Sequence, residues 1–155
     1  MKWLLMYGMH YTIMAGMFSI SNEEWIMVVK LLVALALGGV IGIEREFSHR
    51  PAGWRTHILV CMGSCLFVAI WMDIGNMDST ARVAAAIATG LGFIGAGNIM
   101  AERTGVVHGI TTAASIWITG AIGICVALGN YFLATVAAIL TVIVLRLTKY
   151  EKKMK

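Results

Sequence analysis

The chain has 155 residues, of which 59% are hydrophobic and 13% charged. That is too little charge to solvate the surface of a soluble domain of this size. The apolar residues gather into runs of roughly 17 residues or more, which is bilayer-spanning length. The net charge of +4 therefore speaks to membrane orientation rather than to nucleic-acid affinity.

Residues 1–24 form a hydrophobic N-terminal segment. The run from Trp3 to Ile20 is interrupted by Gly8, His10, Tyr11 and Thr12. Lys2 before it and Ser19-Ile20-Ser21 after it have the look of a signal sequence. An uncleaved helix, spanning or interfacial, is the expectation. Ser21-Asn22-Glu23-Glu24 marks a helix start. Either of the first two residues can cap it, and the glutamates suit the positive end of the helix dipole.

The membrane domain is assigned to residues 25–148. A first span is predicted from Trp25 to Ile43, with Lys30 near enough to its start to snorkel. Its far end, Gly38-Gly39 and Gly42, is a surface for close helix contact. Residues 44–57 read as a polar loop. A second span runs from Ile58 to about Ile74. The turn Gly75–Thr80 holds Asp78, which Arg82 can pair with at i,i+4. A third span is predicted from Ala81 to Ala101. It carries Gly90, Gly92, Gly95 and Gly97 and reads as the central packing element, with neighbours on two sides. A polar corner of Asn98, Glu102, Arg103 and His108 follows. Thr111 and Thr112 open a fourth span, Ile110 to Leu128. Gly129-Asn130 is a tight turn, Tyr131 to Leu147 a fifth span, and residues 149–155 a basic tail. The fold class is all-α: a polytopic membrane bundle of five spans plus the N-terminal hydrophobic helix.

Lysine and arginine placement sets the orientation. Arg45, Arg50, Arg55, Arg103, Arg146 and the lysines of the tail fall on one side, Lys30 and Arg82 on the other. The basic side is expected in the cytoplasm. Cys61, Cys65 and Cys125 sit inside apolar runs and read as small packing residues, not as disulfide partners or a metal site. The two helical hairpins each place a Glu-Arg pair after a glycine-rich helix, which suggests a parallel repeat.

No nucleophile–base set, phosphate loop or zinc spacing is present, so no enzyme activity, cofactor or resident metal is expected. The glycine run is not a dinucleotide fingerprint, because no strand precedes it. The candidate functional residues are the ionisable and polar groups at the membrane boundary. They are Glu44, Arg45, Glu46, Arg55, Thr56, His57, Asp78, Arg82, Asn98, Glu102, Arg103, Thr111 and Thr112. Asn98 is expected to hydrogen-bond across helices. Gly39, Gly42, Gly90, Gly92, Gly95, Gly97 and Gly109 are the helix-packing set. Crossed Glu–Arg pairs between Glu44-Arg45 and Glu102-Arg103 are expected where the first and third spans meet. Glu44→Gln is expected to spare the fold but impair function. Glu44, Glu46 and Glu102 could converge, but the neighbouring arginines would neutralise them, so no tight magnesium site is expected.

Four stretches together resemble the MgtC/SapB membrane-protein family. They are Gly-Val-Ile-Gly-Ile-Glu-Arg-Glu (39–46), Ala-Gly-Trp-Arg-Thr-His (52–57), Gly-Leu-Gly-Phe-Ile-Gly-Ala-Gly (90–97) and Gly-Ile-Thr-Thr-Ala-Ala-Ser-Ile-Trp (109–117). The likeness covers residues 27–147. It implies a bacterial or archaeal inner-membrane protein of about five spans, linked to low-magnesium adaptation and to survival of pathogens in macrophages. It also implies action by restraint of the membrane ATP synthase rather than by magnesium carriage. The expected partners are the lipid bilayer and another membrane protein, or a second copy of the chain, but no nucleic acid. A transporter or channel for an ion or small solute is the competing reading, with Thr89, Asn98, Thr111 and Thr112 the polar groups available for a path.

Overall fold

The computed structural model describes residues 21–101 and 107–151, with side chains for all of these except 101 and 148–151. The N-terminal hydrophobic segment up to residue 20 lies outside the described residues, as do Glu102 and Arg103. Five helices and one short hairpin make up the described fold.

Helix α1 spans Asn22–Phe47. The expected start is realised as a capping box. Ser21 Oγ accepts from the Glu24 N–H at 3.2 Å, and the Glu24 carboxylate accepts from the Ser21 N–H at 2.7 Å. The helix runs four residues beyond the predicted Ile43, and α2, Trp54–Ile74, begins four residues before the predicted Ile58. The predicted 44–57 loop thus shrinks to a short connection. Glu44, Arg45 and His57 stand on helices and are buried rather than solvated.

Helix α3 spans Met77–Ala96, and Asn76 caps it by accepting from the Ser79 N–H at 2.9 Å. It ends short of the predicted Ala101. Asn98 Nδ2 folds back to donate to the Ile94 carbonyl at 3.0 Å, which satisfies an acceptor the helix end leaves free. The chain then forms β1 (Met100–Ala101) and β2 (Val107–His108), paired antiparallel with Met100 opposite His108. Gly109 closes the hairpin at φ +91, and a Cβ there would overlap the Asn98 carbonyl oxygen. Both facts require glycine at this corner.

Helix α4 spans Ile110–Ala127 and α5 spans Tyr131–Glu151. Gly129, at φ +78, makes the expected tight turn between them. Among the described residues four helices, α1 to α4, are long and apolar enough to cross a membrane; the apolar part of α5, Tyr131–Leu147, is shorter. The expected count of five spans is therefore one too many by this measure.

The central element is α4, not α3. Helix α4 packs against α1, α2, α3 and α5, and half of its spanning window is buried, against 17% for α3. Glycines bring the backbones together where α1 and α2 cross. A Cβ on Gly42 would overlap Trp54 Cα, and one on Gly38 would stand 2.8 Å from Cys61 Cβ. Cys61, Cys65, Val68, Ile122 and Val126 fill the core between these helices and α4. Cys61 and Cys65 are free and buried, as expected of packing residues. Of the α3 glycines, Gly95 meets Ala113 of α4 at 3.3 Å, whereas Gly90 and Gly92 have no neighbour within 4 Å where a Cβ would stand. Helix α3 has the expected neighbours on two sides, α4 and α2, but Gly90 and Gly92 stand at neither contact. Gly95→Leu is expected to lower stability by about 1–3 kcal/mol through overpacking against α4, read as a lower midpoint of thermal unfolding in detergent. An unchanged midpoint would contradict the contact.

Candidate functional site

Buried polar groups from three helices meet at the end of the bundle that holds the α1–α2 connection. Glu44 and Arg45, consecutive on α1, form an ion pair at 2.5 Å. Arg45 is 1% exposed and Glu44 6%. At that depth the pair is largely desolvated, so each charge depends on the other. The Glu44 carboxylate also accepts from Ser48 Oγ at 2.8 Å, one turn along. Arg45 Nη2 reaches across the bundle and donates to the Leu145 carbonyl of α5 at 3.3 Å. Its Nη1 has no partner among the described residues.

His57, fully buried in the first turn of α2, extends the cluster. Its Nδ1 lies 2.9 Å from the Gly53 carbonyl, which can only accept, so Nδ1 carries a proton. Its Nε2 lies 3.0 Å from Ser115 Oγ on α4, and Ser115 Oγ is also 2.8 Å from the Thr112 carbonyl. The Ser115 hydroxyl can donate to the imidazole or to that carbonyl. Thr119 Oγ1 donates to the Ser115 carbonyl at 2.7 Å, one turn deeper. The polar line thus ties α1 to α5 and α2 to α4.

Of the predicted polar set, Glu44, Arg45, His57 and Thr112 come together here. Glu46, Arg55 and Thr56 instead line an outer pocket of about 330 Å³ with Pro51, Gly53 and Trp54. The Arg55 guanidinium lies 5.9 Å from the Trp54 ring centroid, a cation–π arrangement. Thr111 faces outward. Asn98 bonds to its own helix rather than to a neighbouring one.

Asp78 and Arg82, at the opposite end, do not pair within the chain. Arg82 Nη2 donates to Ser79 Oγ at 3.2 Å instead. The crossed pairs expected with Glu102 and Arg103 involve residues outside the described set. Glu44 is already held by its own neighbour, and α4 lies beside both α1 and α3. Among the described residues no three His, Cys, Asp or Glu side chains converge as metal ligands. Ser115 and Thr119 were not singled out from the sequence. Their signal was spacing, since Thr112, Ser115 and Thr119 recur at helical intervals on one face of α4.

The MgtC family profile matches residues 31–154. YhiD of Escherichia coli K12, whose name assigns it provisionally to magnesium transport, is 40% identical over 126 residues, covering 76% of this chain and 58% of YhiD. MgtC of Salmonella typhimurium LT2 is 42% identical over 113 residues, covering 73% of this chain and 48% of that protein. MgtC of Brucella abortus is 42% identical over 111 residues, covering 72% and 46%. The chain spans about half the length of these relatives. No solved structure matches it. A profile match over most of the chain, relatives at 40–42% identity and a bundle of apolar helices agree: the chain is a multi-pass membrane protein of the MgtC family.

Proposed function

We propose that the chain is a non-enzymatic membrane regulator that acts on another membrane complex, the ATP synthase foremost, during magnesium limitation or related stress. The observation that carries this reading is an apolar groove of about 400 Å³ on the flank between α2 and α3. Leu59, Phe67 and Ile94 wall it, and Gly63 and Gly90 open its floor. In a bilayer such a surface suits a helix of another membrane protein, because small residues let the backbones approach. A transporter needs instead a polar, wetted path near the midplane. Here the buried polar side chains bond to one another or to backbone carbonyls, Arg45 Nη1 being the exception among the described residues, and Glu44 is neutralised by Arg45. The link to magnesium follows from family membership.

The test is ATP-driven proton pumping in inverted membrane vesicles. Vesicles containing the chain should pump more slowly than vesicles without it. Gly90→Leu should abolish the effect while leaving thermal stability unchanged, since it projects into the open groove and a Cβ there stands more than 4 Å from every described neighbour. Equal pumping with and without the chain would remove the ATP synthase as the partner.

The same reading places the α1–α2 connection in the cytoplasm of a bacterial or archaeal cell. With native cysteines replaced, Arg50→Cys should be shielded from impermeant thiol reagents in intact cells and Met77→Cys labelled. The reverse pattern would invert the topology.

A further inference from the structure

The outward surface of most of the bundle is built from large apolar side chains such as Leu32, Leu59, Phe67, Leu133, Leu140 and Val144. Lipid chains cover such a surface without any partner. On α3 the surface changes character. Thr80, Leu91 and Gly95 face the bundle. Round the helix from them, Asp78, Arg82, Ala85, Thr89, Gly92 and Ala96 are all exposed. Their spacing alternates four, three, four, three and four. That is the repeat which keeps one seam facing a parallel partner helix over several turns.

The two charges at the head of this seam indicate what covers it. Among the described residues Asp78 makes no ion pair, and Arg82 makes only its bond to the Ser79 hydroxyl. They are four residues apart, about 6 Å along the helix axis. A second copy related by a two-fold axis along the membrane normal presents the same seam in the same direction. Arg82 of each copy then lies one turn from Asp78 of the other, and two crossed pairs close the end of the interface. The face is self-complementary, as an isologous dimer requires. Below the charges, Ala85, Gly92 and Ala96 allow close backbone approach. The one polar side chain among them is already satisfied, because Thr89 Oγ1 donates to the Ala85 carbonyl at 3.0 Å. No unpaired group would be trapped between the helices.

We propose that the chain forms a parallel two-fold dimer through the 78–96 seam of α3, with crossed Asp78–Arg82 pairs at its head. The seam is distinct from the α2–α3 groove, so the dimer stands or falls independently of the regulatory reading.

The experiment uses the full chain in native-lipid membranes, with native cysteines replaced. Gly92→Cys should give an oxidatively cross-linked dimer, whereas Leu140→Cys on α5 should not. D78R alone and R82D alone should each lower the dimer fraction several-fold in single-molecule photobleaching. The double swap D78R/R82D should restore it, since the crossed pairs re-form with their signs exchanged. Gly92→Leu, whose Cβ has no described neighbour within 4 Å, should leave the monomer folded and abolish dimerisation. A monomeric wild type, a cross-link through Leu140→Cys in place of Gly92→Cys, or a double swap no better than the single changes would overturn the proposal.

Discussion

Gly42→Leu is expected to abolish the folded bundle. The position faces the first turn of α2, and a Cβ there would overlap the Trp54 Cα. The obstacle is backbone, so no rotamer change relieves it. The α1–α2 crossing would have to open, and the buried contacts of Cys61 with Gly38 would open with it. Glu44, Arg45 and His57 flank this crossing, so their geometry would be lost as well. The expected result is aggregation on extraction, or an unfolding midpoint too low to resolve in detergent. Gly90→Leu is the matched control, because it adds the same side chain where no neighbour lies within 4 Å. A Gly42→Leu protein with the wild-type midpoint would show that α1 and α2 do not cross as described.

The second large effect concerns charge. Glu44→Gln leaves the Arg45 guanidinium buried without its counter-charge. Breaking one side of a fully desolvated pair costs roughly 3–5 kcal/mol. Here the cost should fall toward the lower end, because Arg45 keeps its bond to the Leu145 carbonyl. The sequence alone suggested that this substitution would spare the fold, on the view that residue 44 lies at a partly desolvated membrane boundary rather than fully buried. Its burial at 6% exposure revises that expectation to clear destabilisation. The double variant Glu44→Gln/Arg45→Met removes both charges and should recover most of the loss, since apolar replacement of a buried pair is often neutral. Thermal unfolding of both variants checks this. A single variant as stable as wild type, or a double variant worse than the single, would show that the pair is not desolvated.

These two positions also mark what the sequence disclosed. Hydrophobic runs and caps located every described helix, because a bilayer forces apolar length and internal hydrogen bonding together. The Ser21 cap and the Gly129 turn were legible from local chemistry alone. The ends at Phe47, Trp54 and Ala96 were not. At Phe47 and Trp54 the polarity of the residues suggested loop, and pairing between Glu44 and Arg45 lets α1 continue past its apolar run. At Ala96 the apolar run suggested helix, whereas the chain turns there into the β1–β2 hairpin. The central helix was also misread, and for a physical reason. Glycines at 90, 92, 95 and 97 say that close approach is possible, not that the neighbour belongs to the same chain. Helix α4 carries its own small positions, Gly120 and Gly123, each of which packs against Ser64 of α2. The His57–Ser115 contact joins residues 58 apart, and only the packing of α2 on α4 brings them together.

The most direct test of the regulatory account is ion flux. Purified chain, reconstituted into proteoliposomes at known orientation, is loaded with a magnesium-sensitive dye and challenged with an inward magnesium gradient. Entry indistinguishable from protein-free vesicles, in the same preparation that slows proton pumping when fused with vesicles holding the ATP synthase, is the predicted result. Saturable magnesium entry by the chain alone, abolished by Glu44→Gln/Arg45→Met, would contradict it and make the chain a transporter.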